Sequence, residues 1–466
     1  MKPIRDATQG RQSPSAVRWR ASSCYVLASA IVLVAFPAWT VAETPAVAAP
    51  VHGKLSIVEG IRVLSLWGAP EERGYAQGLL LGHDIVQLLD AWVSRGLQSA
   101  RAEARGSHAF AESQRITRAV FDWPDAFQAE LRGLLRGIEA AHEGPAHVPA
   151  LGRPISFDDL LTINALPELS MLGCSSFAAW GPLTHDHLTL AGRNLDWHAV
   201  PSLAEAQIVT VYGADERHQR LGWVSVTWPG FIGCLTGMNG EGVTLSMHDV
   251  SVLPPAEAMA LLAPSADSTP RDRPSPPFLP RGLILREAIE SARSQTARED
   301  IDRVLRRHRS LTGNNLPVSL PFRGTEPASL VFEYDGHVGT QGGLMVRAAK
   351  IAAYQLCTNH YLLRKDVPTP QNVTCDRYQR LDAQLETLRQ SGDRLDREKA
   401  WDLLRSVAEP RSPESRRLTM CSVLFESNRR LLSVAFARDS SPAPAQKPVT
   451  LDVALLLAGC MDSDSR

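Results

Sequence analysis

The sequence lacks an excess of charge of either sign. Its 49 Lys and Arg stand against 50 Asp and Glu, a formal net charge of −1. No basic surplus points to nucleic acid as a partner, and no acidic tail suggests a solvating segment. Repeats at a fixed period are absent, which excludes solenoid and propeller architectures. The His/Asp ligand spacings of metal-dependent amidases are also missing, and no motif asks for a cofactor. What is present is a chain of 466 residues, 44% apolar and 21% charged. That is the profile of a globular protein, long enough for one large domain or two ordinary ones.

The N-terminus carries a basic leader of Lys2, Arg5, Arg11, Arg18 and Arg20. Ser23 to Ala42 then runs without a charge and ends in small residues before Glu43. This pattern predicts a secretory signal over residues 1–42, cleaved near Ala42. The apolar run is nearly long enough to span a bilayer, so a retained anchor is the competing reading. Either predicts export, to the periplasm or the medium, and membrane association only if the segment is kept.

Cysteine is scarce: Cys24, Cys174, Cys234, Cys357, Cys375, Cys421 and Cys460. An exported chain can form disulfides. The pairing expected is Cys357 with Cys375, although spacing alone does not define connectivity.

Organisation changes near Cys174. Ahead of it, Thr44 to Pro50 reads as a linker and Arg62 to Trp67 as a strand. Glu71 to Asp90 reads as a helix whose Gly74, Gly78 and Gly82 share one face for close packing. Phe127, Leu131, Leu134, Leu135 and Ile138 fall on one helical face. Ser156 and Asp159 have capping-box spacing and open a helix through Leu169. Beyond Cys174, strands are expected at Gln207–Tyr212, Gly222–Trp228, Gly242–Met247, Ser329–Tyr334, Leu344–Leu356 and within Met420–Ala437. Helices follow at Gly282–Arg293, Asp376–Arg389 and Lys399–Val407. Residues 253–281 are rich in Pro, Ser and Ala and read as a surface insertion. The mixture predicts an α+β fold of two packed sheets covered by helices.

Between these halves lies Met171–His198, MLGCSSFAAWGPLTHDHLTLAGRNLDWH. It reads as a hairpin of Ser175–Leu183 and Leu188–Trp197 closed at Thr184–His187. That register sets Cys174 opposite Trp197, with Asp196 one position away and Arg193 within reach of its long side chain. A lone cysteine at a strand start is ordinarily a small buried residue, and an Arg and Asp nearby are ordinarily an ion pair. The same group also suits nucleophilic catalysis. A thiol near pKa 8.5 needs a base or a positive field at neutral pH. Cleavage of Gly173–Cys174 would release an α-amine of pKa about 8 beside the sulfur, able to serve as that base. Arg193 would favour the thiolate, and Asp196 would hold the amine and Arg193.

The chain resembles the cysteine-type N-terminal nucleophile (Ntn) hydrolases. It is most similar to isopenicillin N acyltransferase-like proteins, the C45 peptidase family. Acid ceramidase and the bile salt hydrolase/penicillin V acylase group are more distant. The matching stretches are Glu72–Gly78, Gly173–Phe177, Gly192–Trp197, Gly237–Gly242, Thr358–His360 and the strand pair Cys421–Phe425 with Leu432–Phe436. The resemblance implies a four-layer αββα sandwich. It implies residues 43–173 as a prosegment kept as the small subunit and 174–466 as the catalytic subunit. It also implies Cys174 as nucleophile with Arg193 and Asp196, Asn359 supporting the oxyanion or the amine, and Arg377 near the nucleophile, with Arg380 as its rival.

Other candidates are weaker. His185 and His187 on the hairpin turn are ordinarily solvent-exposed. His198, His248 and His360 could line a substrate pocket, and Trp223, Trp228 and Phe231 could form its apolar wall. Met247 or His248 could supply a backbone oxyanion donor. Asn372–Thr374 has the form of a glycosylation sequon. The expectation is an exported, self-processing amidohydrolase or acyltransferase that forms a thioester at Cys174 on a small amide or acyl substrate. The alternative is a ligand-binding protein that keeps the same shell without cutting itself.

Overall fold

The computed structural model describes residues 51–100, 106–169, 173–198, 201–250, 277–324, 326–336, 343–349, 353–364, 375–410 and 417–460. The leader and apolar run, the linker up to Pro50, most of the Pro-rich stretch and the Asn372 sequon lie outside the described residues. Among the described residues, no helix is long and apolar enough to cross a membrane.

The chain begins with a hairpin, β1 (Gly53–Val58) and β2 (Ile61–Leu66). Glu59 and Gly60 both take positive φ at its tip, as a tight two-residue hairpin turn requires. Three helices follow, α1 (Pro70–Ala100), α2 (Gly106–Val120) and α3 (Asp125–Ala141). A short strand pair, β3 (His147–Val148) and β4 (Arg153–Pro154), leads into α4 (Phe157–Leu169). The expected cap is there: Asp159 accepts the Ser156 amide at 2.7 Å and its hydroxyl at 2.8 Å.

The hairpin around Cys174 is β5 (Gly173–Ala179) and β6 (Leu190–His198). After one helical turn, α5 (Pro201–Glu205), come β7 (Ile208–Tyr212), β8 (Trp223–Thr227), β9 (Thr236–Asn239), β10 (Thr244–Ser246) and β11 (His248–Val250). Next are α6 (Arg281–Ser291) and α7 (Ala297–Arg307), then β12 (Gly313–Ser319), β13 (Ser329–Tyr334), β14 (Leu344–Ala348) and β15 (Tyr354–Cys357). The chain closes with α8 (Asp376–Ser391), α9 (Arg397–Ser406), β16 (Arg417–Glu426), β17 (Leu431–Phe436), β18 (Val449–Asp452) and α10 (Val453–Ala458).

These strands make two main sheets. A ten-stranded sheet runs β1-β2-β7-β8-β9-β10-β12-β13-β14, with β11 also on β12. A six-stranded sheet runs β15-β5-β6-β16-β17-β18. The fold is α+β, and its two sheets pack face to face. One apolar core fills the space between them and continues under α1, α3 and α6; a second joins the six-stranded sheet to α8 and α9. The order helix, sheet, sheet, helix gives the four layers. Residues ahead of Cys174 are not only helical: β1 and β2 enter the large sheet through a parallel pairing of β2 with β7.

Three expectations need correction. Leu344–Leu356 is not one strand: β14 and β15 belong to different sheets. Cys357 and Cys375 are both free thiols, as is every cysteine among the described residues. The hairpin register differs by two, so that Cys174 faces Leu195 rather than Trp197. The turn is centred earlier because Gly181–Leu183 forms a 3-10 turn, with Gly181 at φ +59°, and Thr184 bridges to Leu395.

The glycine ridge of α1 does what its spacing implies. Gly74 and Gly78 lie against α3, which offers Gly133 and Gly137 in return. A Cβ on any of the four would enter the van der Waals shell of a carbonyl oxygen on the opposing helix. Backbone touches backbone here, so no side chain can swing aside. Gly78→Ala should therefore lower stability by about 3 kcal/mol, the upper range for overpacking, even though alanine favours helix. The midpoint of urea unfolding measures this, and an unchanged midpoint would show that the helices can separate freely.

Candidate active site

Strand alternation sorts the side chains at the start of β5. Cys174 and Ser176 point between the sheets, and Gly173 and Phe177 point toward α8 and α9. On β6, Leu195 and Arg193 share the inner face with Cys174, and Asn194 and Asp196 face the helices. Asn194 accordingly donates to the Leu404 carbonyl of α9 at 2.8 Å.

On the inner face, the Cys174 thiol lies 3.2 Å from Nη2 of Arg193 and 3.4 Å from the Met247 carbonyl oxygen. The same Nη2 donates to that carbonyl at 3.1 Å, and Nη1 donates to the Thr236 hydroxyl at 2.5 Å. The thiol is fully buried and Arg193 is 2% exposed. On the outer face, Asp196 accepts from Nη1 of Arg377 at 2.7 Å and from the Thr419 hydroxyl at 2.6 Å. Thr419 is its cross-strand partner on β16. Asp196 thus pairs with Arg377 on α8, and Arg193 is held by Thr236 and Met247, because the two residues point to opposite faces of one strand.

Asn359 joins the faces. Cys357 on β15 pairs with Ser176, so two residues further on, the register brings Asn359 beside Cys174. Its Oδ1 accepts the Cys174 amide at 2.7 Å and Nη2 of Arg377 at 3.0 Å. Its Nδ2 donates to the Asp249 carbonyl at 2.8 Å. The five sequence candidates Cys174, Arg193, Asp196, Asn359 and Arg377 therefore converge. Arg380, one turn on, is exposed. Gly173 has a steric reason to be glycine: a Cβ there would sit 3.1 Å from both the Asp196 Cβ and Arg417 Nη1.

Electrostatics decide the state of the thiol. Burial raises the pKa of Cys174, Arg193 opposes that rise, and Asp249 and Asp196 add to it; the net shift is upward. The order of magnitude agrees. An ion pair at this distance recovers on the order of 4 kcal/mol, against several kcal/mol for desolvating an anion. Arg193 favours the thiolate, as expected from the sequence, but does not outweigh burial. A base is still required.

The remaining candidates take other places. The Met247 amide donates to the Leu235 carbonyl at 2.9 Å, so Met247 presents its carbonyl to the thiol and is no oxyanion donor. His248 is buried with Nε2 3.3 Å from the Ser246 hydroxyl. Burial and the charges of Arg193, Arg377 and Arg347 push its pKa well below the usual imidazole range, leaving the ring neutral. His360 holds the Thr358 hydroxyl at 2.9 Å and packs edge-on to Tyr378. His198 is the last residue of β6. His185 pairs with Asp186 at the exposed hairpin tip. Among the described residues, no group of three His, Cys, Asp or Glu is arranged to hold a metal ion.

Trp228 and Phe231 line a small apolar cavity, whereas Trp223 stacks on Tyr212. Trp197 and Leu235 also line it. Trp197 shares the inner face of β6 with Leu195, the partner of Cys174, and Leu235 holds the Met247 amide, but Cys174 itself is not part of the cavity wall. His248 and His360 are not part of its wall. Ile85, Leu89, Trp92, Ile163 and Leu166 supply the other side, all from residues ahead of Cys174.

Thr236, Thr419 and Asp249 carry no signal in the sequence, and Met247 and Cys375 take roles other than the oxyanion donor and disulfide partner expected of them. Cys375 caps α8 beside the site. Burial would raise its thiol, but hydrogen bonds from His360, Thr358 and the Tyr378 amide, with the Arg377 charge, bring it down to about 6. The position of Cys375 immediately ahead of a helix was the one signal available for it.

No family model matches the chain. An uncharacterized protein of Archaeoglobus fulgidus is 23% identical over 216 residues, 42% of this chain and 34% of its own length. Protein dcd1A of Dictyostelium discoideum is 25% identical over 204 residues, 38% of this chain and 42% of its own length. The chain thus spans less than half the length of the curated relatives it matches. Solved structures similar to it include an N-acylethanolamine-hydrolyzing acid amidase ortholog of Caenorhabditis elegans, with TM-score 0.39 and 16% identity over 60% of this chain and 100% of that one. A conjugated bile acid hydrolase variant from Clostridium perfringens gives TM-score 0.40 and 13% identity over 61% and 94%. Penicillin V acylase from Agrobacterium tumefaciens gives 0.39 and 15% over 60% and 88%.

Two outcomes follow from the geometry. Because the Cys174 pKa is raised, its thiolate fraction is small at pH 7. Its alkylation by iodoacetamide in the uncut chain should be slow and climb through pH values above the ordinary cysteine range. Arg193→Lys should cut that rate about tenfold or more at neutral pH, with the difference closing as the pH rises and both thiols ionise, because one ammonium cannot reach Thr236, Met247 and the sulfur together. Residue-resolved mass spectrometry of the alkylated peptide measures both; a wild-type rate in the variant would make Arg193 a structural ion.

Proposed function

We propose that the chain is an Ntn-type cysteine amidohydrolase or acyltransferase that first cuts its own Gly173–Cys174 bond. The observation that carries this reading is the Cys174 amide. Its N–H already rests on Asn359, with Arg377 and Asp196 behind it, while its thiol rests on Arg193. Any buried amide needs an acceptor, but a packing cysteine needs no side-chain amide backed by a guanidinium and a carboxylate there. A future α-amine does.

In the first reaction the Cys174 thiol adds to the Gly173 carbonyl carbon. The sulfur proton passes to the Cys174 nitrogen as the C–N bond breaks, leaving a thioester and a free amine. Water then hydrolyses the thioester, releasing a carboxylate at Gly173 and restoring the thiol. The new amine, of ordinary pKa about 8, takes the thiol proton that burial holds in place. Arg193 stabilises the sulfur charge as it forms, and Asn359 keeps the amine lone pair near the sulfur. The thiolate attacks the substrate amide, the protonated amine hands its proton to the departing nitrogen, and water or an amine accepts the acyl group.

The apolar cavity walled by Trp197, Trp228 and Phe231 suits a hydrocarbon group of the substrate, with the leaving amine toward the half-buried Asn359 and Arg377. Half its wall comes from residues ahead of the cut, so the prosegment must stay bound as the small subunit. The basic leader supports export of this enzyme. Denaturing mass spectrometry of purified protein should give two chains, one ending at Gly173 and one starting at Cys174. Cys174→Ala should stay whole, fold, and lack amidase activity. A wild-type chain that turns over an amide while uncut would refute the amine as base, and a cut that persists in Cys174→Ala would assign it to another protease.

A further inference from the structure

Glu168 lies near the end of α4, five residues ahead of Gly173. Its Oε1 accepts both the backbone amide of Arg281 at 2.6 Å and the Arg281 Nε at 3.0 Å. The guanidinium then reaches three more acceptors: Nη1 meets Asp249 Oδ1 at 2.5 Å and the Gly313 carbonyl at 3.1 Å, and Nη2 holds the Pro167 carbonyl. Asp249 is the residue whose own carbonyl holds Asn359, which in turn holds the Cys174 amide. Glu168, Arg281 and Asp249 are 1%, 1% and 6% exposed.

One rigid fork therefore grips the chain on both sides of the reaction. Pro167 and Glu168 belong to the segment leading into the bond. Asp249 belongs to the arm that orients the residue after it. Stability alone is a poor explanation for this. Buried ion pairs break about even with apolar side chains of the same volume. What an ion pair of this form adds is geometry, because a planar guanidinium fixes the direction of each acceptor. Attack within a chain depends steeply on that geometry, since a displacement of about 1 Å between reacting atoms can cost a hundredfold.

We propose that Arg281 is a positioning residue for self-cleavage, holding the Gly173 carbonyl against the Cys174 thiol by clamping Glu168 to the Asp249–Asn359 arm. The proposal rests on the function proposed above.

The full chain, expressed and followed over time by denaturing mass spectrometry, tests it. Glu168→Gln keeps size and one acceptor, and Arg281→Lys keeps the charge without the fork. Each should slow conversion to two chains at least tenfold, and the double variant should be no slower than Arg281→Lys alone, because both act through one contact. Once cut, the Glu168→Gln protein should unfold at the wild-type urea midpoint and its Cys174 should react with iodoacetamide at the wild-type rate. Variants that cut at the wild-type rate would overturn the proposal and leave the proposed function standing. A lowered midpoint with a parallel fall in thiol reactivity would overturn it too, making the clamp merely structural. A wild-type chain that never cuts would remove both readings.

Discussion

The alternation of side chains along β5 and β6 is the constraint on which the site depends. It sends the Cys174 thiol and the Arg193 guanidinium into the space between the sheets, and Gly173 and Asp196 toward the helices. One residue thus meets two environments. Its sulfur faces a buried cation and a carbonyl; its nitrogen sits at the strand edge where Asn359 crosses. The Arg377–Asp196 pair holds Asn359 from the helical layer. A sheet covered on one side only could not supply both.

Burial then sets the chemistry. A thiol with no exposed surface resists ionisation, and a single guanidinium at hydrogen-bond distance does not offset that. The neutral thiol and neutral His248 leave the site without a ready base. A terminal amine at Cys174 would fill the gap without importing another charged side chain into the interior. The same pressure shapes the polar interior elsewhere. Arg286 is gripped in two-pronged fashion by Glu130 at 2.9 Å for each contact, with Glu290 at 2.8 Å on its Nε. Burial works to raise the Glu130 carboxyl, but Arg286 and Arg73 outweigh it and hold its pKa below the usual range. Arg73 and Glu130 come from helices ahead of Cys174, Arg286 and Glu290 from beyond it. Separating the two parts would strand charges in an apolar surround, a cost of about 3–5 kcal/mol for each broken pair.

The segment ahead of Cys174 is accordingly built into the fold. Its first hairpin extends the large sheet, its glycine ridge closes α1 on α3, and its apolar side chains complete the cavity walled by Trp197 and Trp228. If the chain is cut after Gly173, these contacts remain on both sides of the break.

Local pattern alone determined a good deal. Period-two runs located β2, β7, β8 and β13, and the four-residue glycine spacing announced a close helix contact before any partner was known. The hairpin also told which side chains share a face, and this survived the two-residue error in register, since an even slip leaves alternation unchanged. The short or interrupted strands β9, β11 and β12 gave no such period and were missed. So was the break between β14 and β15, which a continuous apolar texture conceals. Only tertiary structure decided the thiol's protonation state and the division of labour between the charged residues. It also decided the route from Glu168 through Arg281 to Asn359. Thr419 reaches Asp196 across 223 residues of chain, and Asn359 reaches Cys174 across 185. A side chain's ionisation depends on the water it loses and the charges it meets, and in this protein both come from strands and helices that local sequence does not place beside it.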